Sequence, residues 1–291
     1  MTSGEAPSPE RLAQFKETVR QDWTEGAQAW RRWNAKLGVM SRAATEAIVR
    51  VAQIEPGLRV LDLAGGTGEP AMSLAEVVGP DGHVTATDLV PEMLAVAEET
   101  AGQRGLRTLT FRQADAEALS FADASFDRVT CRFGAMFFPD VGRALREIHR
   151  VLRPGGRAAF VAWGPPEKNP YFTTTIGVFM KYVQLPPPEP GAPHPFRFAQ
   201  AGSLSSALTQ AGFRAVAEEE CTIPWSWPGS AEEAVQSAQE LAAPAFRRLQ
   251  DGLPPERHQQ VQDEILEAVR GYSDGQQVNF TATIVLATGE R

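Results

Sequence analysis

The chain has 291 residues, 43% hydrophobic and 22% charged, which supports a packed core and excludes a disordered or fibrous protein. Asp and Glu outnumber Lys and Arg by 36 to 28, a formal charge of -8. That balance argues against a nucleic-acid partner, whose phosphates demand clustered Lys and Arg, and against docking on anionic membranes. Cys131 and Cys221 are too few and too far apart for a disulfide framework or a cysteine zinc cluster, and they fit a reducing cytoplasm. No basic start leads into an apolar run and no stretch of about 18 apolar residues occurs, so neither export nor a membrane span is expected.

Residues 1–56 are predicted to form an N-terminal helical cap. Leu12, Phe15, Val19 and Trp23 recur at helical spacing, and Ile48 with Val51 continues the pattern after Ser41. A break is expected around Gly38, and Glu55-Pro56-Gly57 ends the zone with turn residues.

Residues 57–163 alternate short apolar strands with helices. Strands are predicted at 58–63, 83–87, 108–112, 126–131 and 157–163. Helices are predicted at 69–78, from Pro91 to about Gly102, and from a cap at Asp140 through Val141, Leu145, Ile148 and Leu152. This alternation implies a doubly wound α/β fold with a mostly parallel sheet and helices on both faces.

Residues 164–291 are predicted to supply lid insertions and the rest of the sheet. Six prolines in 185–195 preclude regular structure there and suggest a lid. A helix is expected at 204–211, a strand at 216–223, helices at 231–250 and 255–270, and one antiparallel strand near 279–287.

The segment VLDLAGGTGEP at 60–70 carries the chemistry. A strand delivers Asp62, the chain turns through Gly65, Gly66 and Gly68, and a helix begins at once. Glycine suits a turn with positive φ and lets a ligand approach the backbone. Asp88 closes the next strand, about 20 residues on, where a ribose-binding carboxylate belongs in a nucleotide site. Gly66, Gly68 and Ala71 also satisfy G-x-G-x-x-A, so an NAD-dependent oxidoreductase is the rival reading. Charge separates the two. A pyrophosphate wants the bare positive end of the helix, yet Asp62 and Glu69 flank the loop. S-adenosylmethionine has no phosphate and carries an ammonium and a sulfonium, both drawn to carboxylates. Asp115-Ala116, after the third strand, completes the set as an adenine-edge reader or as a plain Asx turn.

These segments together resemble the class I S-adenosylmethionine-dependent methyltransferases, and most of all the branch of ubiquinone/menaquinone-biosynthesis C-methyltransferases. VLDLAGGTG at 60–68, Asp88 in TATDLVPEML, Asp115 in QADAEALSF, FD at 126–127, FG at 133–134 and RVLRPGG at 150–156 occur in that branch's order. The resemblance covers 58–163 and implies a seven-stranded Rossmann-like sheet. It implies that Ala64, Gly65, Gly66 and Gly68 take the methionine part of the cofactor and that Asp62 anchors its ammonium. It further implies Asp88 on the ribose, Leu89 on the adenine, Met93 among the cofactor contacts, and Asp115 and Ala116 at the adenine edge. Arg132 and Phe133 would line the reaction centre. Where the quinone enzymes continue after FG with a polar Arg-Asn pair, Met136 and Phe137 stand here, followed by Phe138, so an apolar wall is implied.

Methyl transfer from a sulfonium needs alignment and exclusion of water, and a base only when the acceptor has a proton to lose. Arg132 and His194, in the proline-rich stretch, are the candidate catalytic groups; His83, His149 and His258 read as structural or solvated. Trp30, Met136, Phe137, Trp163, Asn169 and Tyr171 are the candidate acceptor contacts, with Trp23, Trp33 and Phe172 near them. No metal-ligand spacing is present. The expected partner is a small-molecule acceptor, aromatic or polyketide-like, methylated at oxygen, carbon or nitrogen, with a homodimer left open. A protein that binds S-adenosylmethionine without transferring methyl groups is the second alternative.

Overall fold

The computed structural model describes residues 7–184 and 187–291. The chain opens with α1 (Pro9–Met40) and α2 (Arg42–Val51). Then β1 (Arg59–Leu63), α3 (Ala71–Val78), β2 (His83–Asp88), α4 (Pro91–Gln103), β3 (Leu109–Gln113), β4 (Phe126–Arg132), α5 (Val141–Val151) and β5 (Leu152–Trp163) follow. Two one-turn helices, α6 (Pro170–Thr173) and α7 (Ile176–Phe179), precede α8 (Ser203–Gln210) and β6 (Arg214–Trp227). Helices α9 (Ala231–Leu241), α10 (Ala243–Asp251) and α11 (His258–Arg270) lead to β7 (Val278–Glu290).

All seven strands form one sheet in the order β3-β2-β1-β4-β5-β7-β6. Strands β1 to β5 pair in parallel, while β7 runs antiparallel to both β5 and β6. The seven-stranded doubly wound fold and its single antiparallel strand are as expected. The central strands explain the pattern: β1 after Arg59 is buried throughout, as a parallel strand covered on both faces must be. Helices α3 and α4 pack against β1, β2 and β3, and α5 and α8 against β5, β6 and β7. On α5 the buried residues Val141, Ala144, Leu145, Ile148 and Val151 form one face, and Asp140 caps it by accepting from the Arg143 N–H at 2.9 Å.

Several boundaries differ from expectation for local reasons. The first helix does not break at Gly38 but continues to Met40, where the Ser41 hydroxyl bonds the Leu37 carbonyl at 2.8 Å. A mid-helix glycine costs only about 1 kcal/mol, and the burial of Trp33, Leu37 and Met40 outweighs it. The helix predicted for 231–250 divides at Ala242, and α9 starts from a capping box between Ser230 and Glu233. Strand β6 extends past Ile223 to Trp227 because β7 pairs with it along its whole length. The short helices after Asn169 have too few residues to show a period. Within 185–195, residues 187–195 form turns and irregular chain, and Leu185 and Pro186 lie outside the described residues.

The sheet order reverses at β1 and β4, so the loops leaving their carboxyl ends diverge and open a crevice. Helix α1 packs on α4, α9, α10 and β6, which lays it across that opening.

Candidate functional site

Loops after β1, β2, β3 and β4 border a cleft of about 1060 Å³. Leaving β1, the chain takes left-handed conformations at Ala64 (φ +53°) and Gly66 (φ +54°). The Gly65 N–H donates to the Thr87 carbonyl at 2.9 Å and the Gly66 N–H to Asp88 Oδ2 at 2.9 Å, tying the loop to β2. Ala64, Gly65, Gly66, Asp88, Leu89, Met93, Asp115, Ala116, Arg132 and Phe133 all line the cleft. Gly68 does not. A Cβ there would stand 2.3 Å from Met72 Cε and 3.2 Å from Ala97 Cβ, so this glycine lets α3 close against α4.

Asp62 lies behind the loop, fully buried, and forms no part of the cleft lining. Its Oδ1 accepts from the Thr130 hydroxyl at 2.6 Å, and its Oδ2 has no partner. A Cβ on Gly65 would stand 3.0 Å from that oxygen, so only the bare glycine backbone separates it from the loop surface. Burial pushes the Asp62 carboxyl up to about 7, against the opposing pull of Thr130 and Arg132. Asp88 accepts from the Gly66 and Val90 N–H groups, and burial raises its pKa. A carboxylate has about four acceptor sites, so two of them stay available.

Glu69 sits where the sequence places it, just after the glycine loop at the start of α3. Its carboxylate pairs with Arg104 at 3.0 Å and accepts from the Ser73 hydroxyl at 2.7 Å, occupying the N-terminus of α3. Asp115 makes the Asx turn to the Glu117 N–H at 2.9 Å, and its Oδ2 accepts from Lys16 Nζ at 2.7 Å. Lys16, from α1, also reaches the buried Glu117 at 2.5 Å. No motif marked Lys16, because a lysine on a long helix looks like any solvated one.

A second chamber of about 1010 Å³ abuts the cleft; Trp23, Trp30, Thr67, Glu69, Arg132, Phe133 and Phe137 border both. Its far wall is aromatic. Phe133, held at φ +58°, stacks on Trp163 with centroids 4.4 Å apart, and Trp225 and Phe172 meet Trp163 edge-on at 4.9 Å. Arg132 spans the boundary. It donates to the Glu69 carbonyl at 2.7 Å and to Thr45 Oγ1 at 3.2 Å, while its Nε has no partner. Among the described residues no carboxylate lies within ion-pair distance of it, and burial lowers its pKa.

Of the predicted acceptor contacts, Trp30, Phe137, Trp163 and Tyr171 line the chamber. Met136 does not: it is fully buried, and its sulfur accepts from the Trp163 N–H at 3.4 Å. Asn169 is structural too. Its amide donates to the Pro165 and Thr283 carbonyls at 2.9 and 3.1 Å and its oxygen accepts from the Thr283 N–H at 3.0 Å, bracketing β7. His194 lines neither space, although Pro195 borders the chamber. Trp33 packs on Trp227 and donates to Glu240 at 2.8 Å, a core role. Trp225, within β6, was not anticipated, since a strand period does not say which face meets a cavity. Among the described residues no group of three or more His, Cys, Asp or Glu is placed to hold a metal, and no helix is long and apolar enough to cross a membrane.

A ubiquinone/menaquinone biosynthesis C-methyltransferase, UbiE, from Xanthomonas oryzae pv. oryzae is 48% identical over 42% of this chain and 48% of its own length. A demethylmenaquinone methyltransferase from Thermus thermophilus is 46% identical over 39% of this chain and 50% of its own. The chain thus spans about half the length of these curated relatives. The crystal structure of YcgJ from Bacillus subtilis shares the fold, with a TM-score of 0.54 at 22% identity, over 85% of this chain and 97% of that one. The profile of the ubiE/COQ5 methyltransferase family matches residues 36–186, just over half of the sequence. On that match, and with the glycine loop and strand-end carboxylates in the order described, the chain belongs to the ubiE/COQ5 methyltransferase family.

Proposed function

We propose that this chain binds S-adenosylmethionine in the cleft and methylates a flat aromatic small molecule held in the chamber, releasing S-adenosylhomocysteine. The shared wall carries the reading: Arg132, Phe133 and Phe137 border both spaces, so two ligands can abut there. An in-line displacement needs that alignment and no covalent intermediate with the protein. When bound, S-adenosylmethionine supplies the activated methyl group itself.

The residues fit this cofactor. The partnerless Asp62 Oδ2 suits an ammonium reached across Gly65, and Asp88 keeps acceptor capacity for ribose hydroxyls. Ala64, Gly65 and Gly66 would hold the methionine part, Leu89 and Met93 would flank the adenine, and Asp115 with Ala116 would meet its edge. A dinucleotide fits less well, because the Glu69 carboxylate already occupies the helix N-terminus that a pyrophosphate requires. In the chamber, Phe133, Trp163 and Trp225 exclude water and present flat apolar surface, and Arg132 offers its charge to an acceptor oxygen. The curated relatives are named for ubiquinone, menaquinone and demethylmenaquinone, so a reduced 2-prenyl-1,4-naphthoquinone is the first acceptor to test, with polyketide-like phenols next.

The test pairs calorimetric titration of S-adenosylhomocysteine, and separately NADH, with mass spectrometry of acceptors incubated with S-adenosylmethionine. Binding of S-adenosylhomocysteine and an acceptor heavier by one methyl group are the expected results. Binding of NADH alone would move the chain to the oxidoreductases. Cofactor binding with no product across the panel would leave a binding protein without transfer activity.

A further inference from the structure

Helix α1 and its C-cap form one wall of the chamber through Trp30, Asn34, Leu37 and Gly38 and then Ser41, which recur at helical spacing. Gly38 is the position on that stripe without a side chain, and none of the usual structural reasons for a glycine applies to it. Its backbone is helical and not left-handed, and it lies inside the helix, ahead of the end at Met40. No atom lies within 4 Å of where its Cβ would stand, so no neighbour demands a close approach. Gly26, earlier on the same helix, differs: its Cβ would contact the Leu241 carbonyl at 3.6 Å, where α9 ends. Alanine at 38 would fit the backbone and favour the helix. The glycine therefore weakens α1 and returns only open volume, and that volume belongs to the chamber.

We infer that Gly38 is a specificity-determining residue, setting the size of the aromatic acceptor that the chamber admits. The inference rests on the chamber being the acceptor site. A Cβ at 38 meets no neighbour within 4 Å beyond its own helix, so a side chain there takes its first space from the chamber. The cofactor cleft does not include Gly38, so cofactor binding is insulated from the change.

The experiment compares wild type, Gly38→Ala and Gly38→Phe. It measures S-adenosylhomocysteine affinity by calorimetry, and binding of 1-naphthol and of phenol by quenching of tryptophan fluorescence. In Gly38→Phe, 1-naphthol affinity is expected to fall at least tenfold while phenol and S-adenosylhomocysteine change less than twofold. Gly38→Ala is expected to lose 1-naphthol affinity to a smaller extent and to melt at a higher temperature than wild type. Equal 1-naphthol binding by all three proteins would overturn the inference. So would parallel loss of S-adenosylhomocysteine and 1-naphthol in both variants, because the residue would then shape the helix and not the chamber. A wild type that binds S-adenosylhomocysteine but neither aromatic probe would remove the chamber reading itself, and this inference with it.

Discussion

Replacing Asp62 by asparagine isolates a buried carboxylate whose pKa stands far above the ordinary range. Asp62 is fully buried, with one oxygen on Thr130 and the other unpartnered. Burial is the chief reason its pKa stands at about 7 against an ordinary 3.8; Thr130 and Arg132 oppose the rise, and Glu69 and Asp88 add to it. The folded protein thus holds a proton that the unfolded chain releases near 3.8. Stability contributed by this proton is complete below the unfolded value, falls as pH rises, and is gone once pH passes about 7. At about 1.4 kcal/mol per tenfold change in proton affinity, the gap corresponds to a loss of about 4 kcal/mol across that window. Asparagine does not titrate. Urea unfolding of cofactor-free wild type and Asp62→Asn between about pH 4.5 and 8 should therefore show the wild type losing stability relative to the variant by a few kcal/mol. Saturating S-adenosylhomocysteine should flatten or reverse that slope, because an ammonium beside the carboxylate favours its charged form. A stability difference constant to within about 0.5 kcal/mol over the whole range would refute the burial argument, and a slope left unchanged by saturating S-adenosylhomocysteine would refute the ammonium assignment.

Other substitutions separate ligand contacts from scaffold. Asp88→Ala should weaken S-adenosylhomocysteine binding by about 1.5–3 kcal/mol, the scale for a charged hydrogen-bond partner; unchanged affinity by calorimetry would remove Asp88 from the ribose. Asn169→Ala should cost about 2–3 kcal/mol of unfolding free energy by orphaning the backbone groups of β7 that it brackets, with cofactor affinity unaltered. A variant as stable as wild type in urea would mean the bracket contributes nothing. His194→Ala should leave turnover on any acceptor at the wild-type level, since the ring borders neither space; a steep fall in kcat would restore it as a base.

The sheet was legible in the sequence because its strands are short apolar runs punctuated by Gly, Pro and Asp, and each such feature is local. VLDLAGGTG, Asp88 and Asp115 mark strand ends one after another, and a parallel sheet must bring consecutive strand ends to one edge. Strand order marked Asp88 and Asp115, the family resemblance added Ala64, Leu89, Met93, Arg132 and Phe133, and all of them border the cleft. Local patterning also has limits: Gly68 looks identical to Gly65 and Gly66 in the motif, yet it serves helix packing because its Cβ direction points at Met72 and Ala97. Met136, in the single helical turn Ala135–Phe137, and Asn169, at the start of α6, lie close in sequence to residues that line the chamber and still face the core, since successive residues of a helical turn point about 100–120° apart.

The aromatic chamber belongs to tertiary structure. It joins α1, the end of β4, the end of β5, α6 and β6, segments separated by up to two hundred residues of chain. Lys16 meets Asp115 only once α1 lies across the sheet, and Trp225 meets Trp163 only once β5 and β6 share it. The sequence determined the strands, their order and the loop that awaits a cofactor, because backbone propensity and glycine chemistry act over a few residues. Which side chains meet across the cavity was decided by packing, because long-range burial has no local signature to read.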